Sequence, residues 1–289
     1  MSADFRTISL QNIPDAIRLM NESSRDTSLS YRLDFFGFLS LARYWDFSYQ
    51  YSLMCYVDDE PAALMINSTD LQTQDAYTFY WGALPKFRRG KTSLTLFEAG
   101  CKKLRDDGYT MLYAVSVPDR PVSRYRFIHL QPQWGLIDMQ TPSPSLPAAH
   151  PGIEVRDIDA GALSQVSFPP SEALHWCQRH TFLRSAAPFL QFLGAFAGKG
   201  LEAYAVVLAQ ASNTTLLDLR SAESGFEPGY ELLRRLVTQN YRPPFSATYV
   251  FEGSYAHRLL TTAGFSVTRQ FSVLSRNLRV PSSAKATHV

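Results

Sequence analysis

The sequence has few cysteines, almost no net charge and no long hydrophobic run. Its three cysteines are odd in number, widely spaced and without metal-ligand spacing, which argues against a disulfide framework and against a metal site. A net charge of +2 is too small for a broad nucleic-acid interface. No apolar run approaches the ~20 residues of a membrane helix, and the N-terminus lacks a signal-peptide pattern. These absences predict a cytoplasmic protein that binds neither membranes nor nucleic acids.

The composition and the prolines predict two folded domains. Hydrophobic residues make up 45% of the 289 residues and charged residues 19%, which is typical of globular proteins, and the length suits two domains. Segment 140–152 contains four prolines, which remove backbone donors that a helix or central strand requires. It predicts a linker between an N-terminal domain, 1–139, and a C-terminal domain, 153–280, with a flexible tail at 281–289.

Hydrophobic periodicity predicts the same order of elements in both halves. In the first half the predicted elements are a strand at 5–10, helices at 13–20 and 35–44, strands at 51–57, 61–66 and 76–84, a helix from 94 ended by Gly108, a strand at 109–117, a helix at 122–130 and a strand at 135–139. In the second they are a strand at 153–156, a helix at 171–182, strands at 191–198, 201–210 and 214–219, a helix around 232–237, a strand at 247–251, a helix at 255–263 ended by Gly264, and a strand at 265–274. The repetition predicts two copies of one fold that combines helices and strands.

A basic turn, PKFRRGKTS at 85–93, joins a strand to a helix in the first half. The first turn of a helix has unpaired backbone N–H groups and the positive end of the helix dipole, so it can bind a pyrophosphate. Basic side chains, a glycine and hydroxyl groups add to this capacity. The alternative is a solvated basic surface, which four basic residues alone would favour. The residues predicted to form the anion site are Arg88, Arg89, Gly90, Lys91, Thr92 and Ser93.

This turn resembles the pyrophosphate-binding motif of the GNAT superfamily of N-acetyltransferases. In that motif a proline follows the fourth strand, an arginine or glutamine comes three residues later, and small residues stand at the helix start. Pro85 and Arg88 match the motif. Lys91 and Ser93 occupy the two places for small residues, and Gly90 comes one position early.

The resemblance covers 5–139 and, through the order of elements, most of 153–278. It implies an α/β (α+β) protein of two tandem GNAT folds, each a mixed, mostly antiparallel sheet flanked by helices. It also implies acetyl-CoA, or another acyl-CoA, as co-substrate, with no metal. Ala83 and Leu84, at the end of the fourth strand, would line the pantetheine.

The second half departs from the family pattern in the corresponding turn. Gly229 occupies the last small position, but Glu223 and Glu227 stand where basic or neutral residues are expected. Carboxylates would repel a pyrophosphate in a partly desolvated cleft. The cofactor is therefore expected in the first domain only.

The family's frequent general acid, a tyrosine about four residues before a glycine, is replaced by Gln131 in the first half and by Leu260 in the second. Tyr125 and His129 lie four residues apart in the predicted helix 122–130, so they are expected to share a face and are the candidate catalytic residues. Other candidates near the acceptor are Asp75, Tyr77 and Tyr80.

The resemblance implies an acyl-CoA-dependent N-acyltransferase that acts on a small amine. One alternative is a non-catalytic GNAT-fold module that binds a CoA-type ligand or a protein partner, which the missing tyrosine favours. A nucleic-acid face around Lys86, Lys102 and Arg124 is a third hypothesis, and the near-neutral charge argues against it. The sequence does not specify the acceptor, the acyl chain length or the oligomeric state.

Overall fold

A computed structural model of the chain describes residues 3–27, 30–88, 91–116, 122–165, 176–222, 225–239 and 241–279. The chain forms two compact units. Unit 1 consists of Met1–Gln133 together with Ser272–Val289, and unit 2 consists of Trp134–Phe271. The predicted tail, 281–289, lies outside the described residues.

Unit 1 is built on a mixed sheet whose last strand comes from the C-terminal end of the chain. Its elements are β1 (Ala3–Thr7), α1 (Ile13–Ser23), α2 (Phe35–Tyr44), β2 (Leu53–Val57), β3 (Glu60–Asp70), β4 (Asp75–Ala83), α3 (Thr92–Asp106), β5 (Met111–Val115), a 3-10 helix (Val122–Ile128) and the second half of β12 (Ser266–Asn277). The strand order is β1-β2-β3-β4-β5-β12. Only the β4–β5 pair is parallel; the other four pairs are antiparallel.

Unit 2 repeats this arrangement around its own core. Its elements are β6 (Gln131–Thr141), which begins three residues before the unit, β7 (Ile153–Asp157), α4 (His180–Ala186), β8 (Gln191–Ala197), β9 (Gly200–Ala209), β10 (Thr214–Ser221), α5 (Glu227–Thr238), β11 (Phe245–Phe251), α6 (Tyr255–Thr262) and the first half of β12. The order is β7-β8-β9-β10-β11-β6-β12. Here the parallel pair is β10–β11, the counterpart of β4–β5.

The helices follow the predicted periodicity. In α3 the buried residues are Leu96, Phe97, Gly100, Cys101 and Leu104, which recur at helical spacing and face the core of unit 1. Gly108 has φ +93° and Gly264 has φ +84°, so each ends its helix in a left-handed conformation that glycine adopts without strain. Among the described residues no helix has both the length and the apolar character of a membrane span.

The two units differ from the predicted domains at both boundaries. Residues 136–141 of β6 pair with β11, so they belong to unit 2 although the prediction placed 134–139 in the first domain. Residues 273–277 of β12 pair with β5, so they belong to unit 1 although the prediction placed them in the second domain. The periodicity of a strand indicates which residues are buried, but it does not identify the sheet that the strand joins.

The proline-rich segment 140–152 lies within unit 2. Its first two residues end β6, and Leu146 packs against the core of the unit. The Ser145 amide donates to the Ala263 carbonyl at 2.9 Å, and the His150 amide donates to Glu231 Oε1 at 2.9 Å. After residue 141 the prolines interrupt regular secondary structure, and the amides of Ser145 and His150 are bound by groups of unit 2.

Two of the predicted helices also differ from the observed structure. The segment predicted as a helix over 122–130 is a 3-10 helix that ends at Ile128. The predicted helix 171–182 lies partly outside the described residues. In the described part, Trp176–Gln178 forms a short 3-10 turn before α4 begins.

Candidate active site

The parallel strands of unit 1 separate along their length. Their ladder runs from Asp75 opposite Met111 to Thr78 opposite Ala114. Beyond that point β4 remains paired with β3 as far as Ala83, whereas β5 remains paired with β12. Within the described residues, β4 after Thr78 is therefore no longer paired with β5, and the two strands leave a gap between them.

A β-bulge lies where the separation begins. Ile66 pairs with Tyr80 and Asn67 pairs with Thr78, so Phe79 is an extra residue in β4. The bulge places Phe79 and Tyr80, although they are consecutive, on the same side of the sheet. We call this side of β4 the bulge face.

Aromatic rings cover the bulge face. The ring of Phe79 lies 4.9 Å from that of Trp45 and 5.0 Å from that of Phe47. The ring of Tyr31 lies 5.8 Å from that of Tyr80. Gly82 leaves room for Tyr80, because a Cβ atom at position 82 would lie 2.5 Å from the Tyr80 hydroxyl. The bulge face is thus an apolar surface with one phenol oxygen at the point where the strands part.

The N-terminus of α3 follows β4 on the other side of the sheet. The Trp81 indole packs on Phe97 at 4.9 Å and its Nε1 donates to the Ser93 carbonyl at 3.0 Å, which fixes the first turn of the helix against the strand. No described side chain caps this helix, so the amides of its first turn are available to an anion. Lys91 is exposed and Thr92 and Ser93 are half-buried.

Of the other residues predicted to bind the cofactor, some lie near the end of β4 and some lie outside the described residues. Ala83 and Leu84 are buried at the end of β4, and the Leu84 amide donates to the Ala62 carbonyl at 3.0 Å. Arg89 and Gly90 lie outside the described residues. Their roles, like those of Lys91, Thr92 and Ser93, stay predictions.

The guanidinium of Arg88 points to the end of α1. Its Nε donates to the Ala83 carbonyl at 3.1 Å, and its Nη2 donates to the Ser23 carbonyl and to Asp26 Oδ1, both at 2.8 Å. Its Nη1 donates to the other carboxylate oxygen of Asp26. The hydrogen bonds to Asp26 raise the pKa of Arg88. Direct contact between Arg88 and a phosphate stays a prediction, and it would require this pair to open.

Tyr125 and His129 do not share a face. A 3-10 helix has 3.0 residues per turn, so residues four apart are rotated by about 120°. Tyr125 is half-buried against the core of unit 1, while His129 follows the helix with φ +58° and is exposed. The structure therefore does not bring these two candidates together, and a catalytic role for either stays a prediction.

The remaining acceptor-side candidates lie at different levels of β4. Asp75 is buried at the start of the strand, at the opposite end from the gap. Tyr77 is buried and stacks on Trp45, with ring centroids 6.1 Å apart. Of the three, only Tyr80 reaches the bulge face at the gap. The polar partners of Arg88, which are Ser23 in the last turn of α1 and Asp26 just after it, were missed because no local pattern links them to a residue 65 and 62 positions away.

Unit 2 has the same strand geometry, but a buried side chain bridges its two parting strands. The β10–β11 ladder ends at Leu216 opposite Ala247, and Leu217 is the bulged residue. The buried Gln178 amide donates to the Leu217 carbonyl at 3.2 Å and approaches the Tyr249 carbonyl at 3.5 Å. Gln178 thus bridges the two strands at the level where the gap in unit 1 begins.

The helix that follows β10 begins with an acidic residue. Glu227 lies in the first turn of α5 and is exposed. The Tyr255 hydroxyl lies against Gly229, and burial raises the pKa of Tyr255 to about 12. Glu223 lies outside the described residues. These groups support the expectation that unit 2 binds no acyl-CoA, which stays a prediction.

The three cysteines, all among the described residues, are buried and form no disulfide. Burial raises the pKa of Cys101 to about 12 and also raises the pKa values of Cys55 and Cys177. A thiol acts as a nucleophile in its ionised form. None of the three is therefore suited to nucleophilic catalysis at neutral pH.

No protein-family model and no curated protein sequence matches this chain. Solved structures of the GNAT fold do match along almost its whole length. A GCN5-related N-acetyltransferase from Sphaerobacter thermophilus has a TM-score of 0.68 at 13% identity, and the match covers 96% of each chain. A tandem GNAT protein from the clavulanic acid biosynthesis pathway has a TM-score of 0.68 at 10% identity, covering 96% of this chain and 99% of that one.

A third match is a GCN5-related N-acetyltransferase from Kribbella flavida, with a TM-score of 0.67 at 12% identity, covering 96% of this chain and 71% of that one. At such identities the likeness establishes the fold. The chain therefore has the tandem GNAT fold, as its sequence predicts.

Proposed function

We propose that unit 1 is an acyl-CoA-dependent N-acyltransferase, and specifically an acetyltransferase, that acts on a small amine. One observation carries the proposal: β4 separates from β5 at a bulge, directly before the uncapped N-terminus of α3. This arrangement offers an open strand edge for an extended amide-containing chain and a helix terminus for a pyrophosphate. The whole-chain likeness to GNAT N-acetyltransferase structures supports the same function.

The residues of unit 1 fit an acyl-CoA. Amides of the first turn of α3, from Thr92 to Leu94, would donate to the pyrophosphate, and Lys91 would add a positive charge. The open edge of β4, ending at Ala83 and Leu84, would lie beside the pantetheine. The acyl group would then reach the bulge.

The reaction requires the amine nitrogen to form a bond with the acyl carbon while the carbon–sulfur bond breaks. The nitrogen loses one proton and the leaving thiolate gains one, so groups that exchange protons are needed near the bulge. The Tyr80 hydroxyl lies on the bulge face and shares a hydrogen bond with Ser23 Oγ. We propose Tyr80 for this role beside the sequence-predicted candidates Tyr125 and His129.

A pair of variants at the start of α3 tests the cofactor site. Ser93→Glu places a carboxylate in the first turn of the helix, where it favours the helix by about 0.3–1 kcal/mol. The same charge about 5 Å from a pyrophosphate would oppose binding by about 3 kcal/mol at an effective dielectric constant of 20, or roughly 100-fold in Kd. Ser93→Gln is the neutral control of equal size. We expect calorimetry to show that only the Glu variant loses acetyl-CoA binding while its Tm is kept.

The activity is tested by the release of CoA thiol with acetyl-CoA and a panel of primary amines. A thiol-reactive dye is suitable, because the three cysteines of the protein are buried. Acetyl-CoA binding without transfer to any amine would favour a non-catalytic module that binds a CoA-type ligand. Absence of acetyl-CoA binding by the intact chain would refute the proposed function.

A further inference from the structure

The segment after α1 is organised by the last turn of that helix. Asn21 is joined to Leu33 by two hydrogen bonds of 2.8 Å, one donated by its side-chain amide and one accepted by its side-chain oxygen. The Tyr31 amide donates to Ser24 Oγ at 2.8 Å, and the Thr27 amide donates to the Ser24 carbonyl at 3.0 Å. The position of this segment therefore depends on the position of the end of α1.

Tyr31, in this segment, covers part of the bulge face. The ring of Tyr31 lies against both residues of the bulge, with centroids 5.8 Å from Tyr80 and 6.2 Å from Phe79. Burial raises the pKa of Tyr31, so its hydroxyl stays neutral at physiological pH. Ser23, in the last turn of α1, also contacts the Tyr80 hydroxyl directly. The end of α1 thus determines the shape of the surface next to the gap.

Arg88 fastens the end of α1 to the end of β4. Four hydrogen bonds occupy its guanidinium, three of them to Ser23 and Asp26 and one to the carbonyl of Ala83. The two bonds to Asp26 form the bidentate arrangement that gives an arginine–carboxylate pair its directional preference. A lysine at this position would supply the charge without that geometry.

We infer that Arg88 is a positioning residue, which holds the end of α1 and thereby the acceptor surface formed by Tyr31, Phe79 and Tyr80. The inference rests on the proposed function and makes it more specific. The Arg88–Asp26 pair determines the affinity for the acceptor amine. The affinity for acyl-CoA comes from the backbone amides of α3. The basic turn of unit 1 then contributes to both substrates through different groups.

The test uses Asp26→Asn in the full-length protein. The change keeps the shape of the side chain and removes its charge, and the carboxylate is 60% exposed, so the fold should persist. We expect the Kd for acetyl-CoA to stay within about twofold, while the KM for the acceptor rises roughly tenfold, as loss of a charged hydrogen bond predicts. Arg88→Lys should have the same effect, because lysine cannot form the bidentate pair.

A second measurement does not depend on catalysis. Hydrogen exchange at the amides of Thr27, Tyr31 and Leu33 should become faster in both variants, because their acceptors lie on Asn21 and on Ser24, the residue that caps the end of α1. Asp106→Asn is the matched control: it removes the same charge from an exposed pair with Lys102 at the other end of α3. It should change neither the exchange of these amides nor either substrate constant.

Three results would overturn the inference. Tighter binding of acetyl-CoA by Asp26→Asn would mean that Asp26 competes with a phosphate for Arg88. Weaker binding of acetyl-CoA by Arg88→Lys would also make Arg88 a phosphate ligand. Unchanged exchange at the three amides would show that the pair positions nothing. If no acyl transfer is found, the proposed function is refuted. The hydrogen-exchange measurement then still tests whether Arg88 positions the end of α1.

Discussion

The ion pair between Arg276 and Glu98 leads to a quantitative prediction about unit 1. Arg276 comes from the C-terminal half of β12, and its side chain is only 5% exposed. It donates to the two carboxylate oxygens of Glu98, on α3, at 2.7 and 2.9 Å, and to the Ile128 carbonyl at 3.1 Å. Glu98 is 37% exposed. If one member of the pair is removed, water could therefore solvate a remaining Glu98 more easily than a remaining Arg276.

This difference in exposure sets the order of the expected effects. Glu98→Ala leaves a buried guanidinium with one carbonyl as its described hydrogen-bond acceptor, and it should destabilise unit 1 by about 3–5 kcal/mol. Arg276→Met keeps much of the buried volume and leaves a carboxylate that water can reach, so we expect about 1.5–3 kcal/mol. The double variant has neither charge and should be more stable than Glu98→Ala alone.

The measurement is urea unfolding of the four proteins, followed by tryptophan fluorescence. Trp81 reports on unit 1 because it packs on Phe97, the neighbour of Glu98, and hydrogen exchange of α3 assigns the transition to that unit. The reasoning is refuted if the double variant loses the sum of the two single effects. It is also refuted if Glu98→Ala costs less than Arg276→Met.

Two further predictions concern the two units. A chain that ends at residue 271 should fail to form a stable unit 1, because β5 loses β12, one of its two partner strands, and Arg276 is absent. A chain that ends at residue 279 should fold normally. Circular dichroism and acetyl-CoA binding of the two truncations check this. The intact protein should bind one acetyl-CoA per chain, because Gln178 bridges the gap of unit 2 and Glu227 lies at the start of α5. Calorimetric saturation near two acetyl-CoA molecules per chain would contradict this prediction.

The sequence was sufficient for the elements that depend on local pattern. The apolar spacing of α3 and the glycine that ends it can be read within 17 residues, from 92 to 108, and the basic turn before it indicates the fold family. These features depend on residues that are neighbours in the chain, so periodicity and turn chemistry are enough to predict them.

The features that were missed depend on contacts between distant residues. Arg88 matches a phosphate-binding motif, but its guanidinium pairs with an aspartate 62 residues away. The bulge at Phe79 shifts the side-chain alternation of β4, and alternation alone would place Tyr80 on the opposite face. Tyr125 and His129 were paired on the assumption of 3.6 residues per turn, whereas the segment has the tighter 3-10 geometry. Local propensity does not contain this information.

The contribution of β12 to unit 1 has a consequence for protein synthesis. A ribosome releases the chain from its N-terminus, and domains generally fold in that order as they emerge. Here the residues that complete the first unit come near the end of the chain, and Arg276 meets a partner 178 residues upstream. Unit 2 can form as soon as residue 271 has emerged, while the unit with the candidate active site must wait for residues 272–277. A chain that is cut short just after residue 271 would therefore contain a complete unit 2 and an incomplete candidate active site.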